Sequence, residues 1–333
     1  DELNRAHNAN TAVPAPNRLT GRNVGQSLET ALAGFTGQTT IAVVNAAGVI
    51  QSRADIVFSG ATMTINGVAA DPTTFLATLN SQLGGATASF VDGKLSIQAP
   101  AGSGISIADP AGAASNKAGR GFSHYFGLND LVSTDTPAIY DTGLTAASAH
   151  GFTAGETMSF RFTDDRGARI RDIEVAVPAG GTVGDLLTAL NDPITGVGRY
   201  GSFSLGPDGA LSYTGAGNPS PSTSVLDDRT RQVPSGVSVS ALFGIGEGTR
   251  ASRADSFTIR SDIRTSPANL ALAQLNLGAA AGSAALTSGD GRGALLLADA
   301  GQRTSAFQSA GGAAGGSMSV SRYASELAGD IGG

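Results

Sequence analysis

Short segments of this chain come back in the same order at a nearly constant distance, and that limits the fold more than any other feature. Phe126-Gly127-Leu128-Asn129-Asp130 returns loosely as Phe243-Gly244-Ile245-Gly246-Glu247 (126 against 243, an offset of 117). Asp92-Gly93-Lys94-Leu95-Ser96 returns as Asp208-Gly209-Ala210-Leu211-Ser212 (92 against 208, an offset of 116). Ile56 matches Ile173, again at an offset of 117, and Leu79-Asn80 matches Leu190-Asn191 at an offset of 111. Chance likeness among Gly-, Ser- and Ala-rich stretches is the plain alternative. Four matches in one order at nearly one spacing favour tandem copies of a single module, over residues 37–132 and 137–249.

Each copy reads strand, strand, helix, hairpin. In the second, Met158, Phe160 and Phe162 alternate with Ser159, Arg161 and Thr163, a period of two that gives a strand one buried face. Asp164-Asp165-Arg166-Gly167 turns the chain, and Ile173, Val175 and Val177 alternate again. Thr182 with Asp185 three residues on predicts a capping box at a helix start, with Leu186, Leu187 and Leu190 on its apolar side. Asp208-Gly209 predicts a hairpin turn, because Asp-Gly tolerates positive φ. The first copy repeats the plan. Ile41, Val43 and Val44 lead into the turn Asn45-Ala46-Ala47-Gly48, and Ile56 and Phe58 follow. Asp71-Pro72 is read as an N-cap with proline at the first helical position. Phe75, Leu76, Leu79 and Leu83 share one face up to Gly84-Gly85, and Asp92-Gly93 turns the hairpin.

The ends read differently. Leu3, Ala6 and His7 fit one side of a helix. A short strand at Phe257 and Ile259 precedes a helix expected to start at Ser266-Pro267. Residues 291–308 look helical, with Asp290 or Ser288 as cap, and Gly311 to Gly316 reads as a flexible joint. Val320, Tyr323, Ala324, Leu327, Ala328 and Ile331 then fall on one helical stripe. The fold class is thus α+β and mainly β: two tandem β-rich modules inserted between N- and C-terminal helical segments that pack together. The expected domains are residues 1–36 with 250–333 (a discontinuous, partial helical domain with a short strand), 37–132, and 133–249. A length of 333 residues agrees with two or three domains at ~150 residues each. The first residues carry no basic and apolar leader pattern, and the chain is read as the middle of a longer protein.

The residue inventory leaves little for catalysis. Cysteine is absent, which removes disulfides, zinc-thiolate sites, iron–sulfur clusters and a thiol nucleophile. The net charge of −6 argues against a nucleic-acid footprint. No apolar run approaches the ~20 residues of a membrane helix. His7, His124 and His150 are scattered, and His124 directly follows Ser123, where strand neighbours would point opposite ways. Neither Lys94 nor Lys117 precedes Ser or Thr, so there is no phosphate loop. Gly289-Asp290-Gly291-Arg292-Gly293 is weighed as an anion cradle, but a helix-start loop is the plainer reading. Asp164-Asp165 and Asp227-Asp228 lack the alternating acidic ligands of a calcium loop and read as solvated turns. Arg161, Arg166, Arg169 and Arg171 sit among Asp164, Asp165, Asp172 and Glu174, a mixed-sign face. No single pair of acids stands out for glycoside hydrolysis, and without tryptophan the usual sugar-stacking platform is missing. No catalytic residue, cofactor or metal is expected.

Several segments resemble one family. Gly121-Phe122-Ser123-His124-Tyr125-Phe126-Gly127-Leu128-Asn129-Asp130 is similar to the Phe-Phe-Gly-Leu-Asn-Asp signature of the flagellar hook-associated protein 1 family, the first hook–filament junction proteins. Phe126, Gly127, Leu128, Asn129 and Asp130 carry it. Phe257-Thr258-Ile259-Arg260-Ser261-Asp262-Ile263 resembles that family's strand and Ser-Asp-Ile stretch. Thr287-Ser288-Gly289-Asp290 with Ala294-Leu295-Leu296-Leu297-Ala298 resembles its Thr-Ser-Gly-Asp helix start. Tyr323-Ala324-Ser325 through Gly332 resembles its Tyr-Ala-Ser-Leu-Val-Ser-Asp-Ile-Gly segment, and Asn4-Arg5-Ala6-His7 the end of its N-terminal half. Together these cover about 60 residues. The second module departs from the pattern, because the family often runs directly from the signature to the Ser-Asp-Ile segment.

The resemblance implies a non-enzymatic extracellular part of the bacterial flagellum, exported through the flagellar type III channel. It implies a ring of copies at the distal end of the hook, partnered by the hook protein and the second hook–filament junction protein. It implies an export chaperone bound through a C-terminal helix outside this sequence, and no nucleic-acid or membrane partner. Val320, Tyr323, Leu327 and Ile331 are the expected helical packing or assembly surface, with an intramolecular core face as the plainer alternative. The isolated chain is expected to be a monomer. The rival readings are another flagellar axial protein (hook, second junction protein or cap) and an extracellular β-repeat adhesin or glycan-binding module.

Overall fold

The structure is a computed structural model describing residues 1–134, 136–246, 249–250, 256–280, 282–307 and 314–332, with residues 330–332 described by backbone alone. Among these, 33% lie in strands and 22% in helices, so the chain is mixed α+β and mainly β, as its patterning predicts. It opens with helix α1 (Glu2–Asn8), strand β1 (Arg18–Thr20) and helix α2 (Leu28–Leu32). The first module runs through β2 (Phe35–Asn45), β3 (Ile50–Gly60), β4 (Met63–Ile65), β5 (Val68–Ala70) and α3 (Phe75–Gln82). It continues with β6 (Thr87–Val91), β7 (Lys94–Gln98), β8 (Ser103–Ala108) and α4 (Phe122–Phe126). After β9 (Val132–Ser133), the second module holds β10 (Thr157–Thr163), β11 (Arg169–Ala176), α5 (Val183–Leu190), β12 (Gly201–Leu205), β13 (Leu211–Gly215), β14 (Ser222–Asp228) and α6 (Val239–Phe243). The C-terminal part has β15 (Thr258–Ile259), α7 (Ser261–Thr265), α8 (Arg292–Gln302), β16 (Thr304–Phe307), β17 (Gly316–Ser319) and α9 (Val320–Gly332).

The two modules share one plan. In the first, β2 lies between β3 and β8; in the second, β10 lies between β11 and β14, antiparallel throughout. Each then has one helix (α3, α5), one hairpin (β6–β7, β12–β13) and a closing one-turn helix (α4, α6). The first adds the hairpin β4–β5 and strand β1, which pairs with β7. The matched asparagines do the same work. Asn80 Nδ2–H donates to the Ala88 carbonyl at 3.0 Å and its Oδ1 accepts the Ala88 N–H at 2.5 Å. Asn191 holds Phe203 in the same two-bonded way, at 2.8 and 2.7 Å. Each clamp ties the helix end to the start of the hairpin. The matched glycines, Gly127 and Gly244, end α4 and α6 in the left-handed region at φ 65 and 64, where a side chain is costly.

Sequence patterning explains how the modules differ. Phe160 and Phe162 of β10 alternate inward over a core with Phe203, Tyr200 and Tyr213, and the other face stays polar. In β2, residues 39–44 are all buried, the pattern of a strand covered on both sides. One side meets Phe35, Phe58, Phe75, Phe122 and Phe126. The other side, Ala42 and Val44 with Ile50 of β3, is covered by Ala273, Leu275, Ala285 and Leu286. Residues 273–279 and 285–286 thus wrap the first module as its second apolar layer.

Some local expectations change. Residues 18–36 belong to the first module: β1 gives the β6–β7 hairpin a third strand, and Leu28, Ala31, Leu32 and Phe35 enter its core. The boundary expected at residue 36 therefore falls inside that module. Asp71 caps a turn, its Oδ1 accepting the N–H groups of Thr73 and Thr74, and the helix begins only at Phe75. Helix α7 forms before Ser266, and Pro267 starts only a 3-10 turn, Pro267–Asn269. The helix expected over 291–308 stops at Gln302, because Thr304–Phe307 pairs with Gly316–Ser319 as a hairpin. The joint expected at Gly311 to Gly316 is thus a strand at Gly316, and residues 311–313 lie outside the described ones.

The modules meet along residues 141–144. Tyr125 Oη–H and Gln26 Nε2–H both donate to the Thr142 carbonyl, at 2.9 and 3.0 Å, and the Arg120 guanidinium donates to the Asp141 carbonyl. From there Thr142 Oγ1–H reaches the Gly209 carbonyl at 2.8 Å, in the second module's hairpin loop. Asn23 Nδ2–H adds a bond to the Ser235 carbonyl at 2.9 Å.

Because each asparagine satisfies two backbone groups, Asn80→Ala and Asn191→Ala are each expected to cost about 1–3 kcal/mol. Urea unfolding of both variants tests this. Similar losses would mark one device used twice; a neutral Asn191→Ala would break the equivalence of the modules.

Candidate functional site

The segment Phe126–Asp130 joins three distant parts of the chain. Phe126 and Leu128 are buried in the first module's core, and Gly127 turns the chain out of α4, with the Leu128 N–H donating to the Ser123 carbonyl at 3.0 Å. A Cβ at Gly127 would stand 2.6 Å from Asp130 Oδ2, so the turn also needs the space. Asn129 then reaches the N-terminal helix. Its N–H donates to Asn8 Oδ1 at 2.9 Å, and its Nδ2–H groups donate to the carbonyls of His7 and Asn10 at 3.1 and 2.9 Å. Arg260 donates to Asn129 Oδ1 at 3.1 Å, which adds the C-terminal segment.

Asp130 is the charged centre. Its Oδ2 pairs with Arg22 Nη1 at 2.7 Å, and its Oδ1 accepts from Asn8 Nδ2 at 2.7 Å. The pair is nearly buried, with side-chain exposures of 8% for Asp130 and 12% for Arg22. Arg22 spends its other nitrogen on the carbonyls of His124 and Tyr125, at 2.5 and 3.0 Å, at the end of α4. A buried ion pair holds only when its remaining bonds are made, and here they are.

Two histidines complete the junction, both neutral by burial. His7 Nε2 accepts the Ala271 N–H at 2.9 Å, so Nδ1 carries the proton and donates to the Asn129 carbonyl at 2.6 Å. Burial lowers its pKa despite that bond. Burial, and then the Arg22 charge, pushes His124 down to about 3, and its Nε2 meets Asp1 Oδ1 at 2.7 Å. Ser123 and His124 sit on the one-turn helix α4, not on a strand, and Ser123 Oγ–H donates to Asn8 Oδ1 at 2.8 Å. The serine is a structural donor. His150 is also fixed locally, by the Phe152 N–H and the Gly180 carbonyl.

The expected helical surface divides. Tyr323 stacks on Phe307 with centroids 4.3 Å apart and planes at 15°, so it is held by the chain's own β16–β17 hairpin. Leu327 is half-buried, Val320 is exposed, and the Ile331 side chain lies outside the described residues. Helix α9 packs on α8, and α8 on α1, where Arg303 bridges Glu2 at 3.2 Å. Leu3 of α1 and Leu295 of α8 add exposed apolar side chains at this helical end.

The remaining polar clusters are structural. Asp228 accepts the N–H groups of Thr230 and Ser240, and Asp164 those of Arg166 and Ala168. Asp290 fills its own loop, accepting from the Gln274 N–H and from Arg292, so no anion cradle is left. Arg161 and Arg169 both bridge Asp172, at 2.9 and 3.1 Å. A cleft of about 810 Å³ opens beside Glu156, Asp228 and Arg231, and none of its lining residues is aromatic. Among the described residues, no group of three His, Asp or Glu is placed to hold a metal ion, and no helix is long and apolar enough to cross a membrane. Sequence reasoning missed Asn8 and Arg22, the partners of the signature. Their only signal was polarity in segments with no motif. A scan against protein-family models finds no match to this chain, and a search of curated proteins finds no similar sequence.

Asp130→Ala leaves Arg22 buried without its partner, so a loss of about 3–5 kcal/mol is expected in chemical denaturation. A loss under about 1 kcal/mol would mean that the junction does not depend on this pair. The histidines set a pH dependence. Unfolded histidine titrates near 6.5, and folded His124 near 3, so the unfolded chain binds more protons between those values. Stability from His124 is therefore full above pH 6.5 and is lost as pH falls toward 3. Melting curves of His124→Gln should fall less steeply than the parent's across that window; parallel curves would show that this imidazole is not held neutral.

Proposed function

We propose that this chain is the outer, β-rich part of a non-enzymatic structural junction protein of the bacterial flagellum, of the hook-associated protein 1 kind. The observation that carries the reading is the junction built on Phe126–Asp130. The residues that resemble the family signature tie the N-terminal helix, Arg22 just after β1 and the C-terminal Arg260 into one knot. The chain leaves α1, forms both modules, and returns where β15 pairs with β9 and α8 packs on α1. That layout suits a subunit whose helical base packs in a tube while its β modules project.

In this reading the protein is exported through the flagellar type III channel and assembles as a ring on the distal end of the hook. The hook protein lies on one side and the second hook–filament junction protein on the other. Its task is mechanical: to seat a stiff filament on a flexible hook. The cross-links at residues 141–144 favour it, because a load on the second module then passes to the first through several backbone bonds. The exposed Val320, Leu3 and Leu295 belong to the helical end that would meet neighbours.

A strain lacking the gene is the test. Bare hooks, with flagellin released into the medium, are expected in electron micrographs and immunoblots. Normal attached filaments would overturn the reading, and surface or glycan adhesion by the modules would be the next assay.

A further inference from the structure

The first module's hairpin has a third strand, and among the described residues the second module's has none. In the first, β1 runs antiparallel to β7, with Arg18 opposite Gln98, Leu19 opposite Ile97 and Thr20 opposite Ser96. The Gly21 N–H donates to the Leu95 carbonyl and the Ala99 N–H to the Asn17 carbonyl, both at 2.8 Å. So Leu95, Ile97 and Ala99 are the residues whose backbone faces β1. The offset of 116 that relates the two hairpin turns carries them onto Leu211, Tyr213 and Gly215 of β13.

The register of β13 agrees. At the two ends of its ladder with β12, the Gly206 N–H donates to the Ala210 carbonyl and the Ala216 N–H to the Tyr200 carbonyl, at 2.8 and 2.7 Å. The even-numbered residues of β13 therefore bond to β12. By the alternation of an antiparallel ladder, the backbone groups of Leu211, Tyr213 and Gly215 face the open edge. Tyr213 is only half-buried, whereas its counterpart Ile97, with Leu19 beside it, is fully buried. Edge strands are ordinarily guarded by a charge, a proline or a bulge. Leu211-Ser212-Tyr213-Thr214-Gly215 has no charge and no proline, and its pairing with β12 has no register shift.

Arg18-Leu19-Thr20 shows what such an edge takes: an antiparallel polar–apolar–polar triplet whose middle residue enters the core. Ser212-Tyr213-Thr214 is itself a triplet of that pattern, with Ser212 and Thr214 exposed. Laid antiparallel beside a second copy of itself, it sets Tyr213 opposite Tyr213, Ser212 opposite Thr214 and Leu211 opposite Gly215. No like charges meet, and each leucine faces a residue without a side chain. The outward backbone groups then exchange about six hydrogen bonds, two for each facing pair.

We propose that β13 is a docking edge for a second copy of this chain, the two β12–β13 hairpins joining into one four-stranded antiparallel sheet about a two-fold axis at Tyr213. The proposal rests on the second module's geometry and not on the flagellar reading. Such an interface is small and its association weak, so the monomer expected from the sequence holds only in dilute solution.

Sedimentation equilibrium tests it. The mass is expected to rise toward twice that of the chain as concentration passes about 100 µM. Ser212→Lys/Thr214→Lys sets lysine against lysine at both exposed pairs and should weaken association about tenfold. Ser212→Lys/Thr214→Glu sets lysine against glutamate in the same register and should restore it. In the unaltered chain, the Tyr213 and Gly215 N–H groups should exchange more slowly with solvent as concentration rises. A chain that stays monomeric over this range, whatever else binds its edge, overturns the proposal. So does a dimer that the lysine pair leaves intact, one that both double variants weaken alike, or exchange at Tyr213 and Gly215 that ignores concentration.

Discussion

The buried Asp130 carboxylate is the constraint on which the rest depends. It accepts from Arg22 at one end of the first module and from Asn8 on α1. Neither oxygen faces water freely, so each bond protects the other. Removing one partner strands a charge in a medium that cannot solvate it. The carboxylate is held 2.6 Å from where a Cβ of Gly127 would be, so the left-handed turn at Gly127 and the ion pair need each other. Chain reversal, helix docking and return of the C-terminal segment are thereby one cooperative unit and not three separate contacts.

Around that unit, the same module is used in two ways. Both copies place a central strand between two antiparallel neighbours and clamp a hairpin with an asparagine. The first copy has a second apolar face, and residues 273–279 and 285–286 cover it. The second copy turns arginines and aspartates outward on its sheet, where Arg161 and Arg169 share Asp172. Such exposed pairs contribute little to stability, so that face adds solubility more than strength. The first module is integrated with both chain ends, and the second is carried by the first.

Much of this was legible in the sequence, for identifiable reasons. Alternation at Met158, Phe160 and Phe162, the capping box at Thr182 and the turn at Asp92-Gly93 are local signals, and each reads correctly. The offset between copies pointed to Asn80 and Asn191 before their bonds were visible. The helix expected through residue 308 failed because a strand partner at Gly316–Ser319 overrides the helical preference of a short segment. Strand β1, three residues long, is too short to show a period; Ala273, Leu275 and Leu277 do alternate with Gln274 and Asn276, but the alternation does not say which sheet face they cover. The site was half legible. The signature and the segment holding Arg260 stood out, but Arg22 and Asn8 are ordinary polar residues until the fold brings them within bonding distance.

The cations beside Tyr125 show why such a fold tolerates few charged residues inside. Lys117 and Arg120 are answered by carbonyl oxygens and a ring face. Carbonyl dipoles at the end of α2 stabilise an ammonium, but less than a carboxylate does. The gain is positional. Backbone carbonyls at Thr30, Ala31 and Asp141 move only if their segments move, so Lys117 is fixed to α2 and Arg120 to the strap between modules. A carboxylate partner on a flexible side chain would let the two modules drift while keeping the bond. Rigid acceptors make the interface stiff, and the ring face of Tyr125 shares the task of answering the two charges.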